Sequence, residues 1–362
     1  MSKQTKFSLN GKEVLAKPEE TIWQVAKREG IAIPHLCHLD SPGYRSDGNC
    51  RACVVDIEGE RALAASCIRK PTEGMVVNTA SERATKSQSM VFEMLAADMP
   101  AREQGPDQQS SFWQWADQFG IEGAERLPSK FDGVEQSTHD VSNPAIAVNL
   151  DACIACGLCV RACREVQVND VIGMGLRGSH SVPVFDIHDP MGLSTCVTCG
   201  ECVQACPTGA LYEKTLMDEG GKTRIINDFD RSVDSVCPFC GVGCQTVVNV
   251  KDNKIVQVDG RDGPANENRL CVKGRFGFDY AQSSERLTKP LIRREDVPKR
   301  GDIDMRFMQV SDVFREASWE EAMALAAKGL TDIRDGNGKG KGSGAIAGFG
   351  SAKGSNEEAY LF

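Results

Sequence analysis

Cysteine is the residue type through which this chain could do chemistry. Its sixteen cysteines fall into four groups of four with none left over. Two groups come from one pattern written twice, C-x2-C-x2-C-x3-C: Cys153-Ile-Ala-Cys156-Gly-Leu-Cys159-Val-Arg-Ala-Cys163, and Cys196-Val-Thr-Cys199-Gly-Glu-Cys202-Val-Gln-Ala-Cys206-Pro207. Cysteine at every third position of a short loop can wrap three thiolates round one cubic iron–sulfur cluster. A third group, Cys37, Cys50, Cys53 and Cys67, is spaced C-x12-C-x2-C-x13-C, and four thiolates close a [2Fe–2S] rhomb as well as a cube. The fourth, Cys237, Cys240, Cys244 and Cys271, is spaced C-x2-C-x3-C-x26-C. Zinc is the rival ligand. Its structural sites pair C-x2-C with a second C-x2-C or with histidines, which is not the repeated pattern here, although the Cys37 group leaves zinc open. Disulfides need an oxidising compartment, for which the chain carries no signal.

Short elements must present these thiols. Lys6-Phe-Ser-Leu9, Asn10-Gly11 and Glu13-Val-Leu-Ala16 read as a hairpin. A helix then starts near Glu19, Glu20 and Thr21, with Ile22, Val25 and Ala26 as its apolar stripe and Gly30 as its stop. The hairpin-then-helix opening and the long Cys37–Cys50 loop favour the rhomb for the first group. Residues 81–140 hold no cysteine. Met90, Val91, Met94 and Leu95 form one helical stripe ending at Pro100, and Phe112, Trp115, Ala116 and Phe119 form another ending at Gly120. These two helices are expected to bridge the cluster-bearing segments on either side. Residues 166–189 read as short strands and a loop. Thr246 to Val250 and Lys254 to Val258 flank Asp252-Asn253 as a hairpin that would carry Cys271 back towards the first three cysteines of its group.

The repeated cysteine pattern resembles a bacterial-type two-cluster ferredoxin. That resemblance implies crossed ligands: one [4Fe–4S] on Cys153, Cys156, Cys159 and Cys206, the other on Cys196, Cys199, Cys202 and Cys163. Arg164 follows Cys163 where the pattern has proline. Gly48-Asn-Cys50-Arg-Ala-Cys53-Val-Val-Asp-Ile-Glu and Ala65-Ser-Cys67 resemble the β-grasp [2Fe–2S] domain that opens the large iron–sulfur subunit of complex I, bidirectional hydrogenases and NAD-linked formate dehydrogenases. The His-and-three-Cys [4Fe–4S] motif that many of these carry next is absent, and His139 alone cannot replace it. Cys237-Pro-Phe-Cys240-Gly-Val-Gly-Cys244 with Cys271-Val-Lys273-Gly-Arg275 looks like the N-terminal [4Fe–4S] domain of the molybdenum or tungsten bis-pterin oxidoreductases, in which the equivalent of Lys273 lies between cube and pterin.

The C-terminal part changes character. Ser318-Trp-Glu-Glu321 reads as a capping box opening a helix through Met323, Leu325 and Ala326. Residues 335–344 read as an exposed, flexible Gly- and Lys-rich turn. Residues 345–349 read as a strand, followed by a small-residue turn and a helix from about Glu357, the α/β grammar for approaching a phosphate. By resemblance this is where a pterin-binding domain begins. The metal-ligating cysteine or selenocysteine of that family has no counterpart after Cys271, so the chain reads as an N-terminal portion, inactive alone, of a larger catalytic subunit.

The expected fold class is therefore α+β and multidomain. It comprises a β-grasp [2Fe–2S] domain (1–80), a helical bridge (81–140), a two-cluster ferredoxin domain (141–225), a small bis-pterin-type [4Fe–4S] domain (231–290) and the start of an α/β pterin-binding domain (291–362). The order resembles the alpha subunit of cytoplasmic NAD-dependent formate dehydrogenases. The resemblance implies a relay of one [2Fe–2S] and three [4Fe–4S] clusters. It would run between a molybdenum or tungsten bis(molybdopterin guanine dinucleotide) centre and a flavin- and NAD-binding beta subunit, with a small [2Fe–2S] gamma subunit as a further partner. A non-catalytic electron-transfer subunit of a hydrogenase or complex I-like oxidoreductase accounts for residues 1–225 but not for Cys237 to Lys273. The histidines add nothing to this: His35 and His38 read as hydrogen-bonding or surface groups, and His180 and His188 as surface or core-edge groups.

Composition narrows the classes further. The 362 residues carry a net charge of −9, unsuited to a nucleic-acid partner. The N-terminus has no signal-peptide core, and no run of 18 apolar residues offers a membrane span, so a soluble cytoplasmic protein is expected.

Overall fold

The computed structural model describes residues 4–123, 125–131, 139–217, 229–297, 309–336 and 343–362. It divides into one unit formed by Met1–Cys237 with Cys244–Phe278, and a second formed by Pro238–Gly243 with Asp279–Phe362.

The first unit opens with the expected hairpin. Strands β1 (Thr5–Leu9) and β2 (Lys12–Ala16) pair antiparallel, and Asn10 and Gly11 take the positive φ that a two-residue turn demands. Helix α1 (Ile22–Arg28) follows, capped by Thr21 and Gln24 in a reciprocal box, with Ile22, Trp23, Val25 and Ala26 buried. Strands β3 (Val54–Ile57), β4 (Ala64–Ala65) and β5 (Val76–Asn78) complete a five-stranded sheet of order β2-β1-β5-β3-β4. Its central β1–β5 pair is parallel and the rest antiparallel. Cys53 and Cys67 belong to the core under this sheet, together with Phe7, Ile22 and Val55.

Helix α2 (Glu82–Ala97) lies where the pattern predicts, and Val91 and Leu95 of the expected stripe pack half-buried on the core, but the fully buried face is turned away from Met90 and Met94. Met90 and Met94 are exposed, and the inward residues are Ala84, Gln88, Phe92 and Ala96 at four-residue spacing. A polar residue conceals this stripe from a hydrophobicity reading. The Gln88 Nε2 donates to the Val54 carbonyl at 2.8 Å and the Thr79 carbonyl at 3.4 Å, which satisfies the amide indoors and ties the helix to β3. Helix α3 (Ser111–Gln118), capped by Ser110, packs Phe112, Trp113 and Ala116 against Phe92. Leu36 and Ala52 from the first cysteine segment belong to the same core, and Cys50 and Ile154 pack onto it. The Phe112 N–H donates to the Pro207 carbonyl at 3.0 Å, so the two helices do connect the Cys37–Cys67 segment to the repeated cysteine segment.

That segment is built as two interleaved halves. Strands β6 (Ile146–Val148) and β9 (Leu211–Glu213) pair antiparallel, as do β7 (Ile172–Gly175) and β8 (Val182–Phe185). Each cysteine run leads into a short helix, α4 (Leu158–Arg161) and α5 (Glu201–Gln204), started by a glycine with φ near +74°: Gly157 (φ 73°) and Gly200 (φ 75°). A π-turn over Ala162–Val166 extends α4. One core joins both halves, with Ile146, Leu158, Ile172, Phe185 and Leu211 in it.

A three-stranded sheet closes the unit. Strand β10 (Arg231–Val236) pairs with β11 (Gln245–Lys251), which pairs with β12 (Lys254–Gly260) across Asp252 and Asn253, both at positive φ. Helix α6 (Val272–Phe276) starts at Cys271 and packs on β12.

In the second unit, β13 (Leu291–Arg293) and β14 (Phe314–Glu316) form a hairpin-like pair around α7 (Val310–Val313). Helix α8 (Trp319–Arg334) starts at Ser318, whose hydroxyl accepts from the Glu321 N–H at 3.1 Å. Only half of the expected capping box forms, because the Glu321 carboxylate turns to Arg315 at 2.5 Å. Helix α9 (Asn356–Leu361) starts at Ser355 with a complete box. The strand expected over 345–349 does not form. The segment has no ladder partner among the described residues, and Phe349 is 93 % exposed. Part of the 335–344 turn lies outside the described residues.

The corrected face of α2 sets a contrast within one helix. Phe92 is fully buried, with ring centroids 5.6 Å from Phe112 and 5.4 Å from Phe119. Phe92→Ala is expected to destabilise by about 3–5 kcal/mol. Met94→Ala, at a 50 % exposed position, is expected to change stability by less than about 0.5 kcal/mol. Thermal unfolding of the two variants checks the ranking.

Candidate metal centres

The first quartet is drawn together by the sheet and the loop after α1. The thiols of Cys50 and Cys67 hydrogen-bond the Cys37 sulfur, and Cys53 and Cys67 hydrogen-bond each other. These bonds hold the Cys37 and Cys53 thiols below their ordinary pKa and push those of Cys50 and Cys67 up, so protons and negative charge are already shared across the four sulfurs. The Cys50 N–H also points at the Cys37 sulfur, at 3.5 Å.

In the repeated segment the groups are crossed. Burial, first, and then the neighbouring thiols raise the pKa of Cys153, Cys156 and Cys159. Cys206, from the other repeat, is among the charges acting on all three. Cys163 in turn acts on Cys196, Cys199 and Cys202, and these four line a single cavity walled by Val171 and Ile172. Backbone donors aim at sulfur throughout: Ala155 N–H at Cys153 (3.4 Å), Val171 N–H at Cys163 (3.3 Å) and Thr198 N–H at Cys196 (3.3 Å). Ala155 and Thr198 occupy equivalent places in the two repeats and both take positive φ, which turns their N–H groups inward. Donors to sulfur and an apolar wall suit a cluster, whose potential depends on both.

In the last group, the Cys237 N–H donates to the Cys244 carbonyl at 2.8 Å. A Cβ placed on Gly274 would lie 3.5 Å from the Cys237 sulfur, so that sulfur rests against the helix which Cys271 opens. Cys240 is exposed and belongs to the second unit. Lys273 is exposed on α6. Among the described residues, no three His, Cys, Asp or Glu side chains are grouped round one metal ion.

The histidines take non-ligand roles. The ring of His38 is buried against Trp23, its Nδ1 is 2.7 Å from the Ser46 hydroxyl, and burial pushes its pKa down to about 4. His35 contacts the Ile33 carbonyl, and His139 lies between Tyr212 and Asn149. His180 and His188 are exposed.

Several buried charged residues escaped the sequence reading, Arg161, Arg275 and Glu213 among them. Arg161 and Arg275 are 2 % and 0 % exposed, and both bond to cysteine carbonyls. Their one sequence signal was position: Arg161 sits inside a cysteine run and Arg275 four residues beyond Cys271. Glu213, at the end of β9, is 0 % exposed, with Gln257 as its side-chain hydrogen-bond neighbour. The loop between Cys37 and Cys50 also gained a purpose. Tyr44 donates to Glu201 at 2.8 Å, Arg45 to Glu165 at 3.0 Å, and the Asn49 side chain to the Cys156 carbonyl at 3.4 Å. Its length is that of a docking arm reaching the repeated segment.

Three family models match parts of the chain. Residues 2–82 match the family described as a 2Fe-2S iron-sulfur cluster binding domain, residues 152–210 a 4Fe-4S dicluster domain, and residues 230–283 a molybdopterin oxidoreductase Fe4S4 domain. The chain thus carries cluster domains of both iron–sulfur types. It is 30 % identical over 390 residues to a probable oxidoreductase, YjgC, and to the provisionally named formate dehydrogenase YrhE, both of Bacillus subtilis. It is 30 % identical over 364 residues to the NADPH-Fe(3+) oxidoreductase subunit alpha of Geobacter sulfurreducens. These alignments take in 98 % of the chain but only 37–38 % of each relative. Among solved structures, an NAD+-reducing [NiFe]-hydrogenase chain aligns with 58 % of this chain and 87 % of its own length, at 27 % identity and a TM-score of 0.49. No described helix is long and apolar enough to cross a membrane.

Glu213 gives a pH test. Burial, first, and then Asp259 raise its pKa well above the carboxylate range, while Arg275 and Gln257 pull the other way. With the folded-state pKa above the unfolded value of about 4.3, the folded chain binds more protons, and stability is lost as pH rises. Glu213→Gln removes this loss. Its thermal midpoint, measured against the parent's, is expected to rise as pH increases above about 4.3; a difference constant with pH contradicts the assignment.

Proposed function

We propose that the chain is the iron–sulfur relay of a formate dehydrogenase-type alpha subunit. Cys37, Cys50, Cys53 and Cys67 hold a [2Fe–2S] cluster in a β-grasp domain, a reading supported by the mixed sheet with its parallel central pair and by the shared hydrogen bonds among these thiols. Cys153, Cys156, Cys159 and Cys206 hold one [4Fe–4S] cluster, and Cys196, Cys199, Cys202 and Cys163 a second; the cavity lined by the last four supports this crossing. Cys237, Cys240, Cys244 and Cys271 hold the third cube, with Lys273 beside it facing a pterin. When bound, these groups supply one-electron transfer between a molybdenum or tungsten bis-pterin centre and a flavin- and NAD-binding beta subunit, with a small gamma subunit as a further partner.

The chain's own contribution is electrostatic and geometric. N–H groups at Ala155, Val171 and Thr198 stabilise negative sulfur and so favour the reduced state of the cubes they touch. Apolar walls keep water from the sulfurs and work in the opposite direction, favouring the state of lower charge. The ammonium of Lys273 favours an added electron nearby.

One observation carries the reading: the match to a molybdopterin oxidoreductase Fe4S4 domain at residues 230–283, placed after two other cluster domains in one chain. A hydrogenase-type relay subunit has no use for it. The deciding experiment purifies the protein from its native reading frame, continued past Phe362 where the frame continues, with its co-purifying subunits. Molybdenum or tungsten with pterin, and NAD reduction by formate, are expected; iron alone overturns the reading in favour of a relay subunit. On the present chain, Cys271→Ala is expected to remove one [4Fe–4S] signal and about four irons while the other signals persist in the reduced-state paramagnetic resonance spectrum. Loss of every signal together contradicts the partition.

A further inference from the structure

Two fully buried arginines stand where consecutive cysteine groups meet. Arg161 lies on α4 between Cys159 and Cys163. One of its terminal nitrogens donates to the Cys37 carbonyl at 2.7 Å and to the Cys156 carbonyl at 3.5 Å, and the other pairs with Asp47. A single guanidinium thus spans backbone groups of the first and second quartets. Arg275 lies on α6, and its own N–H donates to the Cys271 carbonyl at 3.1 Å. Its Nε donates to the Cys199 carbonyl at 3.2 Å, and its terminal nitrogens reach Gln204 at 2.5 Å and Asp259 at 3.4 Å. Its side chain therefore ties the third group's Cys199 carbonyl to the helix that the fourth group's Cys271 opens.

The two sites are equivalent by internal repeat. Cys156-Gly157 and Cys199-Gly200 hold the same place in the two cysteine runs, and it is this corner that each arginine meets. A Cβ on Gly157 would lie 3.5 Å from the Arg161 guanidinium, and one on Gly200 would collide with the Arg275 side chain. Both glycines also need positive φ. Burying an arginine costs several kcal/mol of hydration, and a buried pair is weak evidence of stability in itself. Repetition of this costly arrangement at both junctions points to a role in the relay.

We propose that Arg161 and Arg275 are positioning residues that couple neighbouring clusters, each fixing the backbone of two ligand sets and lending both clusters a positive charge. This rests on the cluster assignment above. At low effective dielectric a cation a few ångströms from a ligand favours the reduced state. Each arginine therefore raises the potentials of its own pair and leaves the remote pair alone.

The test is a potentiometric titration of the cluster-loaded chain, followed by paramagnetic resonance. Arg161→Gln is expected to lower the midpoints of the [2Fe–2S] cluster and of the Cys153 cube, without moving the Cys237 cube. Arg275→Gln is expected to lower those of the Cys196 and Cys237 cubes, without moving the [2Fe–2S]. Arg161→Lys and Arg275→Lys keep the charge and lose the directed guanidinium bonds, to the Cys37 and Cys156 carbonyls in the first case and to the Cys199 carbonyl in the second. They should retain midpoints near the parent's while the spin–spin broadening between the paired clusters weakens, and they decide the matter if a glutamine variant fails to load. Unchanged midpoints or an equal shift in all four clusters in the glutamine variants, or unchanged broadening in the lysine variants, overturn the proposal. A parent chain without iron–sulfur signals overturns the cluster assignment itself, and the proposal with it.

Discussion

Cys206 lies within electrostatic reach of Cys153, Cys156 and Cys159, and Cys163 lines a cavity with Cys196, Cys199 and Cys202; under the proposed cluster assignment most of the first unit depends on that exchange. A run of three cysteines can surround only part of a cube, and its fourth ligand must come from elsewhere. Drawing it from the opposite run makes each half of the segment incomplete without the other. The β6–β9 ladder and the shared core around Ile146, Leu158 and Leu211 are what hold the exchange in register. Thiols this crowded and this buried resist ionisation, so the thiolates a cluster needs would be stabilised by the N–H donors in part and by cationic iron in bulk.

From that centre the neighbouring segments are attached by polar contacts of high specificity rather than by broad apolar faces. The arm between Cys37 and Cys50 reaches across with Tyr44, Arg45, Asp47 and Asn49. On the other side Arg275 enters against Gly200. Electron transfer between fixed sites calls for set distances, and directional bonds to ligand carbonyls set them more tightly than a slippable apolar contact. The helical pair α2–α3 supports the arrangement from outside, packing onto Cys50 and Ile154 at once.

What could be read from the sequence was what depends on local geometry. The Asn10-Gly11 and Asp252-Asn253 turns, the helix start at Thr21, the Ser318 cap and the cysteine spacings each express a constraint spanning a few residues. What escaped depended on partners far along the chain. Gln88 is polar and reads as surface, yet it is buried because Val54 and Thr79 offer it carbonyls. Met90 and Met94 are apolar and read as core, yet no neighbour covers them. Residues 345–349 have a strand's composition but no ladder to join. Nothing local marks Arg161 and Arg275 as buried, because the carbonyls and carboxylates that hold them come from residues up to 124 positions away.

The most direct test of the account is metal and sulfide analysis of the chain prepared without oxygen. One [2Fe–2S] and three [4Fe–4S] clusters predict a brown protein with about 14 irons, matching acid-labile sulfide and no zinc. A colourless protein holding zinc at the cysteine groups, without sulfide, would contradict it.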